Sequence, residues 1–567
     1  MSRKVIWLVW DAASMDIVEK LLKEDKLPNL KSLKEEGTGL RMRLNQPNCQ
    51  TPAALAVLFT GMPSEQNGVA GFYTPDISKE QNLLSLESSF HQNEIHKHSI
   101  WNRAASNGKT VSLVHVPFVG ELEENERASY RIAIDGYRKR LTRGKVFTAS
   151  TLKWSQNEAC AFKEAIIEMD GFSFNIQLYN QGLKQAVNII YSDGIRQQVV
   201  NMEVGTASID QNHSFTLGKG TKLLVSALYK PYNRDEILFI FSGIYQVIDH
   251  KGSDIEEFLD YSGAFEGEGF GRYYRKGIFG KTFSQGGQGE AEAIFMKLLN
   301  RTAIHFEKAG EFCIKNYPAD LTVLYQPCID EMSHEFIGFC DKNCELYDKK
   351  YYDGYWENVT KAYQMADRHL GAVMKLLPED TYVVISSDHG MAAVSRVFYI
   401  NELLRRSGML EFDSEGTVDM TKTKVFFHPA DNGSIFVNTD DHKDGIVPQA
   451  MKQAVLDSVI NTLESLREPE TGRPIIKGIR RMYEEGTSSR ELFGDIFVEP
   501  SYGYCLKGDM NAEVIERTNK SGYHHYNPDF SSMDGIFFVS EHNQERCGTI
   551  QNTEVFAVLC GLMNIPL

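Results

Sequence analysis

The chain has no run of about 18 apolar residues, so it offers no membrane-spanning helix. Its start does not read as a leader either. Met1-Ser-Arg-Lys leads into the short apolar run Val5–Trp10, which Asp11 ends, and that pattern predicts a first β-strand instead of a signal peptide. Positive charge is in deficit: 60 Lys and Arg stand against 76 Asp and Glu, a net charge of −16. That balance excludes broad attraction to duplex nucleic acid or to an anionic membrane. Cysteine is sparse, with nine residues at 49, 160, 313, 328, 340, 344, 505, 547 and 560 and no CxxC pair. Cys340 and Cys344, the nearest two, read as free thiols. An odd, dispersed set argues against a disulfide framework and for a reducing compartment, the cytoplasm. Two glycine-rich stretches, Gly218-Lys-Gly220 and Gly267–Gly271, form neither a P-loop nor a strand-led GxGxxG and carry no phosphate role. Internal repeats and low-complexity tracts are missing as well.

With 567 residues, 42% hydrophobic and 24% charged, the chain has an ordinary globular balance and room for two or more units with a large core. Periodicity divides it in three. Residues 1–119 alternate strand and helix. Val5–Trp10 is apolar on both faces, as a central parallel strand is. Helical spacing follows over Met15–Lys23 and Leu30–Glu36, then a helix over Ile100–Asn107 and a strand over Thr110–Val116. Residues 120–288 change character, with β-rich segments at Phe172–Tyr179, Ala186–Tyr191, Gln198–Val204, Lys222–Tyr229 and Glu236–Ile248. They predict an antiparallel insertion or cap, which either shapes substrate access or serves as cover. Residues 289–567 return to the alternation. Helices are predicted over Ala291–Asn316, Tyr355–Leu376, Val397–Arg406, Gln449–Leu466 and Val555–Met563. Strands are predicted at Leu321–Gln326, Tyr382–Ser386, Lys424–Phe427 and Ser434–Asn438, with a strand pair at Ile496–Glu499 and Gly503–Leu506. The fold class is α/β: a mostly parallel sheet, helices on both faces, and a β-rich insertion.

The stretch from Asn48 to Phe72, NCQTPAALAVLFTGMPSEQNGVAGF, organises the rest. Thr51 stands before Pro52 and the apolar run Ala53–Phe59, the pattern of a loop feeding a buried helix. The start of such a helix presents backbone N–H groups and the positive end of its dipole, which suits an anion such as phosphate at Thr51. A threonine N-cap is the plainer reading of the same residues. Elsewhere Asp11, Asp330 with His334, Asp388 with His389, and His524 each follow a predicted strand or sit in a loop. Carboxylates and imidazoles in this mixture suit zinc or manganese. Taken singly, each is a turn or a cap. Strand-end residues of an open α/β sheet converge on one edge, so their recurrence in chain order favours one shared site.

The same segments carry a family resemblance. VIWLVWDA, LPNLKSLKEEG, PNCQTPAALAVLFTG, YQPCIDEMSHEFIG, VVISSDHGM, GYHHYNPDFSSMDGIFFVS and the C-terminal VFAVLCGLMNIP resemble the alkaline phosphatase superfamily, specifically its type I phosphodiesterase/nucleotide pyrophosphatase branch. The resemblance spans both ends of the chain and leaves out most of residues 120–288. It implies an alkaline-phosphatase-like core with two divalent metal ions, zinc first and manganese second. Asp330, His334 and His524 would hold one ion; Asp11, Asp388, His389 and the Thr51 oxygen would hold the other. Thr51 would be the nucleophile and form a covalent phospho-threonine, its hydroxyl acidified by the adjacent ion without a separate general base. The second ion would stabilise the leaving oxygen and then serve the hydrolytic half-reaction.

Three residues depart from the branch. Pro52 follows the nucleophile where nucleotide pyrophosphatases carry an aromatic residue. Phe72, after Gly71, stands where they carry asparagine, and His525 replaces a usual glycine. Phe72 and His525 are therefore candidate substrate contacts, and the substrate is open. The leading expectation is a phosphodiesterase or nucleotide pyrophosphatase-like hydrolase acting on a small phosphodiester. The alternatives are a phosphomonoesterase, phosphonate hydrolase or phosphotransferase with the same metals, and a catalytically silent ligand-binding pseudoenzyme. A small phosphorylated substrate is the expected partner, with neither duplex nucleic acid nor membrane.

Overall fold

Lys4–Trp10 forms a strand buried from Val5 onward. It pairs in parallel with Leu321–Gln326 on one side and Thr381–Ser386 on the other. A strand with neighbours on both edges and helices on both faces has no solvent side, so VIWLVW carries no alternating polar residue. In this computed structural model, which describes residues 3–567 apart from 46, 48, 77–80, 92, 157–160, 182–183, 254, 268, 469, 483–491 and 542–547, that strand lies at the middle of a nine-stranded sheet. Asn48, Cys160 and Cys547 fall outside the described residues. The order across the sheet is Ile248–Asp249, Tyr130–Asp135, Val111–Val114, Leu321–Gln326, Lys4–Trp10, Thr381–Ser386, Gly535–Val539, Thr38–Arg43, Thr549–Gln551. Pairing is parallel except where Ile248–Asp249 meets its neighbour and along both edges of Gly535–Val539.

Side chains alternate across the sheet. Trp7 faces one side, where its indole meets Phe59 edge-on at 5.6 Å and Phe59 in turn meets Trp101 at 4.9 Å. Helices Thr51–Thr60 and Ile100–Ser106 therefore cover that face. Leu8, in register with Leu324, faces the other side. There helix Glu290–Asn316 comes so close that a Cβ on Gly310 would lie 3.1 Å from the Leu324 side chain. Among the described residues no helix is long and apolar enough to cross a membrane.

The β-rich region builds two sheets. One is a five-stranded antiparallel sheet within Ser155–Glu203, and the other is formed around the hairpin Thr221–Lys230 and Asn233–Phe241. Ile167, Met169, Phe174 and Ile176 from the first share one core with Phe215, Leu223, Val225 and Phe239 from the second, so the sheets pack as a sandwich. The sandwich meets the core at Ser226, which shares Arg301 with the buried Glu266. Arg301 on helix Glu290–Asn316 donates to Glu266 at 2.7 and 2.8 Å and to Ser226 Oγ at 2.9 Å. Tyr130–Asp135 lies in the central sheet, and Ile248 is the direct register partner of Asp135. The chain thus leaves the central sheet for the sandwich and returns to it at adjacent points.

Two sequence expectations are corrected. Val397–Arg406 is not one helix: Ala392–Tyr399 is a strand and the helix begins at Ile400. Val397 and Phe398 suit a strand by shape, and they pair with Cys505 and Leu506. Ile496–Pro500 and Gly503–Lys507 are both strands but do not pair with each other. The first joins Ser434–Val437 and Ile476–Arg481, while the second joins Ala392–Tyr399. Gly503, at φ 91°, supplies the left-handed turn that redirects the chain.

Candidate active site

The parallel strands end together, and the polar residues just beyond them meet. Asp11 follows Trp10, whose register partner is Gln326. Asp388 and His389 follow the strand Thr381–Ser386. Asp330 and His334 lie one turn apart on helix Cys328–Cys340, and residues four apart share a helix face. Thr51 opens helix Thr51–Thr60, whose preceding residue, Gln50, makes no side-chain cap bond. Pro52 sits in the first turn, where a missing N–H costs nothing.

His389 Nε2 lies 3.0 Å from Thr51 Oγ1, 3.5 Å from Asp11 Oδ1 and 3.3 Å from Asp388 Oδ2. Asp330 spans two histidines, with Oδ2 3.5 Å from His334 Nε2 and Oδ1 3.8 Å from His524 Nε2. The rings of His389 and His524 stack at 4.2 Å. Two sets of ligand atoms lie within 4.8 Å of one another: Asp11, Asp388 and His389; and Asp330, His389 and His524. His389 belongs to both, while His334 reaches the second set through the far oxygen of Asp330.

The main chain orients all three rings. His389 Nδ1 lies 2.8 Å from the Gly390 carbonyl, His334 Nδ1 2.8 Å from that of Gly522, and His524 Nδ1 3.2 Å from that of Cys49. A carbonyl only accepts, so each Nδ1 carries the hydrogen and each Nε2 turns a lone pair inward. The carboxylates are equally one-sided. Asp388 Oδ1 accepts the N–H groups of Ala12 at 3.0 Å and His389 at 2.9 Å, leaving Oδ2 buried without a hydrogen bond. Asp11 Oδ2 accepts from the Tyr325 hydroxyl, and its Oδ1 is likewise unpartnered, as is Asp330 Oδ1.

Such oxygens are costly without a cation. Burial, and then the Asp388 carboxylate, push Asp11 well above the ordinary carboxylate range. Burial and Asp11 raise Asp330 to about 8, and burial raises Asp388 to about 7. Burial holds His334 and His524 well below the usual imidazole value, so their rings stay neutral. Inward lone pairs on buried carboxylates and neutral imidazoles are a donor set that fits divalent metal ions.

Two residues that the sequence reading passed over shape the site. Tyr325 fixes Asp11, as above. Gln50 ties the nucleophile loop to its surroundings: its Oε1 accepts the Phe72 N–H at 3.0 Å, and its Nε2 donates to the Asp431 carbonyl at 2.7 Å and lies 3.0 Å from His525 Nδ1. A Cβ at Gly71 would sit 2.3 Å from Gln50 Oε1, so any side chain there would have to push the Gln50 amide aside. Phe72 is 38% exposed, with its ring 6.5 Å from that of His525. The two candidate substrate contacts are therefore neighbours beside Thr51.

Gly522 is more tightly constrained, since its Cβ would lie 2.3 Å from the Ser333 carbonyl, a backbone atom. Gly522→Ala is expected to displace the carbonyl that orients His334, cost about 1–3 kcal/mol of stability and weaken one metal site selectively. Metal analysis after dialysis checks this; two equivalents retained as tightly as in the wild type would contradict it.

The family profile of type I phosphodiesterase / nucleotide pyrophosphatase matches residues 5–176 and 243–527. No curated protein matches the chain. Among solved structures the chain is similar to phosphonoacetate hydrolase from Sinorhizobium meliloti 1021 in complex with phosphonoformate, at 12% identity and a TM-score of 0.48, covering 99% of this chain and 96% of that one. It is also similar to murine ectonucleotide pyrophosphatase / phosphodiesterase 5, at 11% identity and a TM-score of 0.45, covering 100% of this chain and 96% of that one. The profile takes in both halves of the α/β core and every strand end that supplies the carboxylates and histidines described above, so the chain belongs to the type I phosphodiesterase / nucleotide pyrophosphatase family of phosphoester-cleaving enzymes.

Proposed function

We propose that the protein is a two-metal phosphodiesterase that cleaves a small phosphodiester through a covalent phospho-threonine at Thr51. One observation carries this reading: unpartnered oxygens of Asp11, Asp330 and Asp388 and the Nε2 atoms of three histidines converge beside a threonine hydroxyl at a helix start. Asp330, His334 and His524 would hold one ion, and Asp11, Asp388, His389 and Thr51 the other. The mixed nitrogen and oxygen donors suit zinc first and manganese second. When bound, the ions supply Lewis acidity to the phosphoryl oxygens and ease deprotonation of hydroxyl groups beside them.

Thr51 Oγ1 gives up its proton and attacks phosphorus. The Oγ–P bond forms as the bond to the leaving alcohol breaks, and the alcohol takes up a proton as it departs. Water then cleaves the phospho-threonine, releasing the monoester and restoring the hydroxyl. The start of helix Thr51–Thr60 turns its dipole toward the negative charge on the bound phosphoryl group. Phe72 and His525, positioned by Gln50, flank a substituent of the ester. The seven described cysteines are free, which supports a reducing, cytoplasmic setting.

The test compares bis(4-nitrophenyl) phosphate with 4-nitrophenyl phosphate, using chelator-stripped protein with zinc or manganese restored. Diester hydrolysis is expected to dominate, to vanish with chelator and to return with metal. Monoester preference would replace this reading with a phosphatase or phosphotransferase. Inactivity with two metals bound would make the protein a silent binder.

A further inference from the structure

His525 belongs to neither set of candidate metal ligands, yet it stands beside them. Its ring meets that of His524 edge-on at 4.9 Å. The His524 ring stacks at 4.2 Å on His389, whose Nε2 lies 3.0 Å from Thr51 Oγ1. What this ring can do next to the nucleophile depends on which of its nitrogens carries the hydrogen.

Gln50 decides that. Its side chain is buried, and two main-chain groups fix the sense of its amide. The Phe72 N–H only donates, so the atom 3.0 Å from it is the amide oxygen; the Asp431 carbonyl only accepts, so the atom 2.7 Å from it is the NH₂. One hydrogen of that NH₂ goes to Asp431, and the other faces His525 Nδ1 at 3.0 Å. The Tyr523 hydroxyl, a second group able to donate, lies 2.9 Å from the same nitrogen. An amide NH₂ does not accept, so Nδ1 offers the lone pair and the neutral ring carries its hydrogen on Nε2. This is the reverse of His334, His389 and His524, whose Nδ1 atoms face carbonyls. Those three turn a lone pair inward, whereas His525 has an N–H. His525 is half-buried, and its Nε2 is bonded to no described residue.

We propose that His525, held in this tautomer by Gln50, donates its Nε2–H to a non-bridging oxygen of the substrate's phosphoryl group. The assignment rests on the phosphodiesterase reading, because it names a contact to the group that reading places at Thr51. An Nε2 that carries hydrogen does not ligate a metal ion, but it does share the negative charge on a phosphoryl oxygen. Gln50 is a positioning residue that acts through the ring.

The experiment joins two measurements on the zinc-loaded full chain: nitrogen NMR of isotope-labelled histidines, and calorimetric titration with inorganic phosphate. The His525 signals, assigned by their loss in His525→Gln, are expected to place the hydrogen on Nε2. His525→Phe keeps a ring but no donor and is expected to weaken phosphate binding about tenfold. His525→Gln retains an N–H and is expected to keep most of the affinity. Gln50→Leu is expected to bring the Nδ1–H tautomer into the spectrum and to weaken binding by a smaller factor. The double variant Gln50→Leu/His525→Phe is expected to bind no more weakly than His525→Phe alone, since one residue acts through the other. A wild-type hydrogen on Nδ1, unchanged binding by His525→Phe, or additive losses in the double variant overturns the proposal. Hydrolysis of bis(4-nitrophenyl) phosphate by the same preparation reports separately on the reaction. Turnover with unchanged binding by His525→Phe rejects the donor alone, and a binding loss without turnover rejects the phosphodiesterase reading alone.

Discussion

Thr51→Ala is expected to lower diester turnover by about 10⁴-fold or more, the scale seen when a covalent nucleophile is removed, while the protein stays folded. The substitution deletes Oγ1, the atom 3.0 Å from His389 Nε2. It adds nothing in return, because alanine fills a helix-start position at least as well as threonine. Gln50, not Thr51, occupies the N-cap, so no capping interaction is lost and stability is expected to stay within about 0.5 kcal/mol. The hydroxyl is one donor among several, so at least one equivalent of metal is expected to remain. The phosphoryl group of the substrate, still carrying its remaining ester substituent, trapped on the wild type by acid quench during turnover and missing in the variant would identify the phospho-threonine. Near wild-type hydrolysis by Thr51→Ala would remove this residue from the mechanism.

Asp388→Asn is expected to separate function from stability. Asparagine keeps an oxygen for the N–H groups of Ala12 and His389 but places an amide where Oδ2 now stands buried without a hydrogen bond. An amide NH₂ repels a cation, so one metal equivalent and about 10³-fold or more in turnover are expected to go. Metal-free protein is expected to respond in the opposite sense. Asp11, Asp330 and Asp388 crowd one another in a buried space, and removing one ionisable carboxyl relieves desolvation and repulsion by about 1–3 kcal/mol. Thermal unfolding in chelator should therefore show a higher midpoint for Asp388→Asn than for the wild type, with the order reversed in saturating zinc. The same order under both conditions would mean that the carboxylate does not mediate metal-linked stability.

The central sheet and the convergence of its strand ends were legible in the sequence because both depend on local pattern. A strand without polar alternation, such as Val5–Trp10, must be covered on both sides, and a carboxylate just past it is at the sheet edge by construction. Three kinds of feature were not legible. Val397–Tyr399 is a strand whose partners lie far along the chain, and an apolar run reads the same in a helix as in a strand until those partners are known. Gln50 and Tyr325 act through groups distant in sequence, Asp431, Phe72 and Asp11, so nothing in their own neighbourhood announced them. The stacking of His389 on His524 likewise depends on two loops that meet only in the folded chain.

The register pairing of Asp135 with Ile248 has a consequence for how this chain can vary and be dissected. Neighbouring backbone positions in an antiparallel pair are about 5 Å apart, a gap that a tight turn closes. The whole sandwich between them is therefore a module hung on two adjacent stems, open to gain, loss or exchange without re-threading the catalytic sheet. Cuts made at residues 120 and 288 would instead remove Tyr130–Asp135 and Ile248–Asp249 from that sheet. A graft that joins the chain just beyond Asp135 to the segment just before Ile248 respects the stems, and that junction is where a minimal enzyme, or a chimera carrying a different cap, is best built.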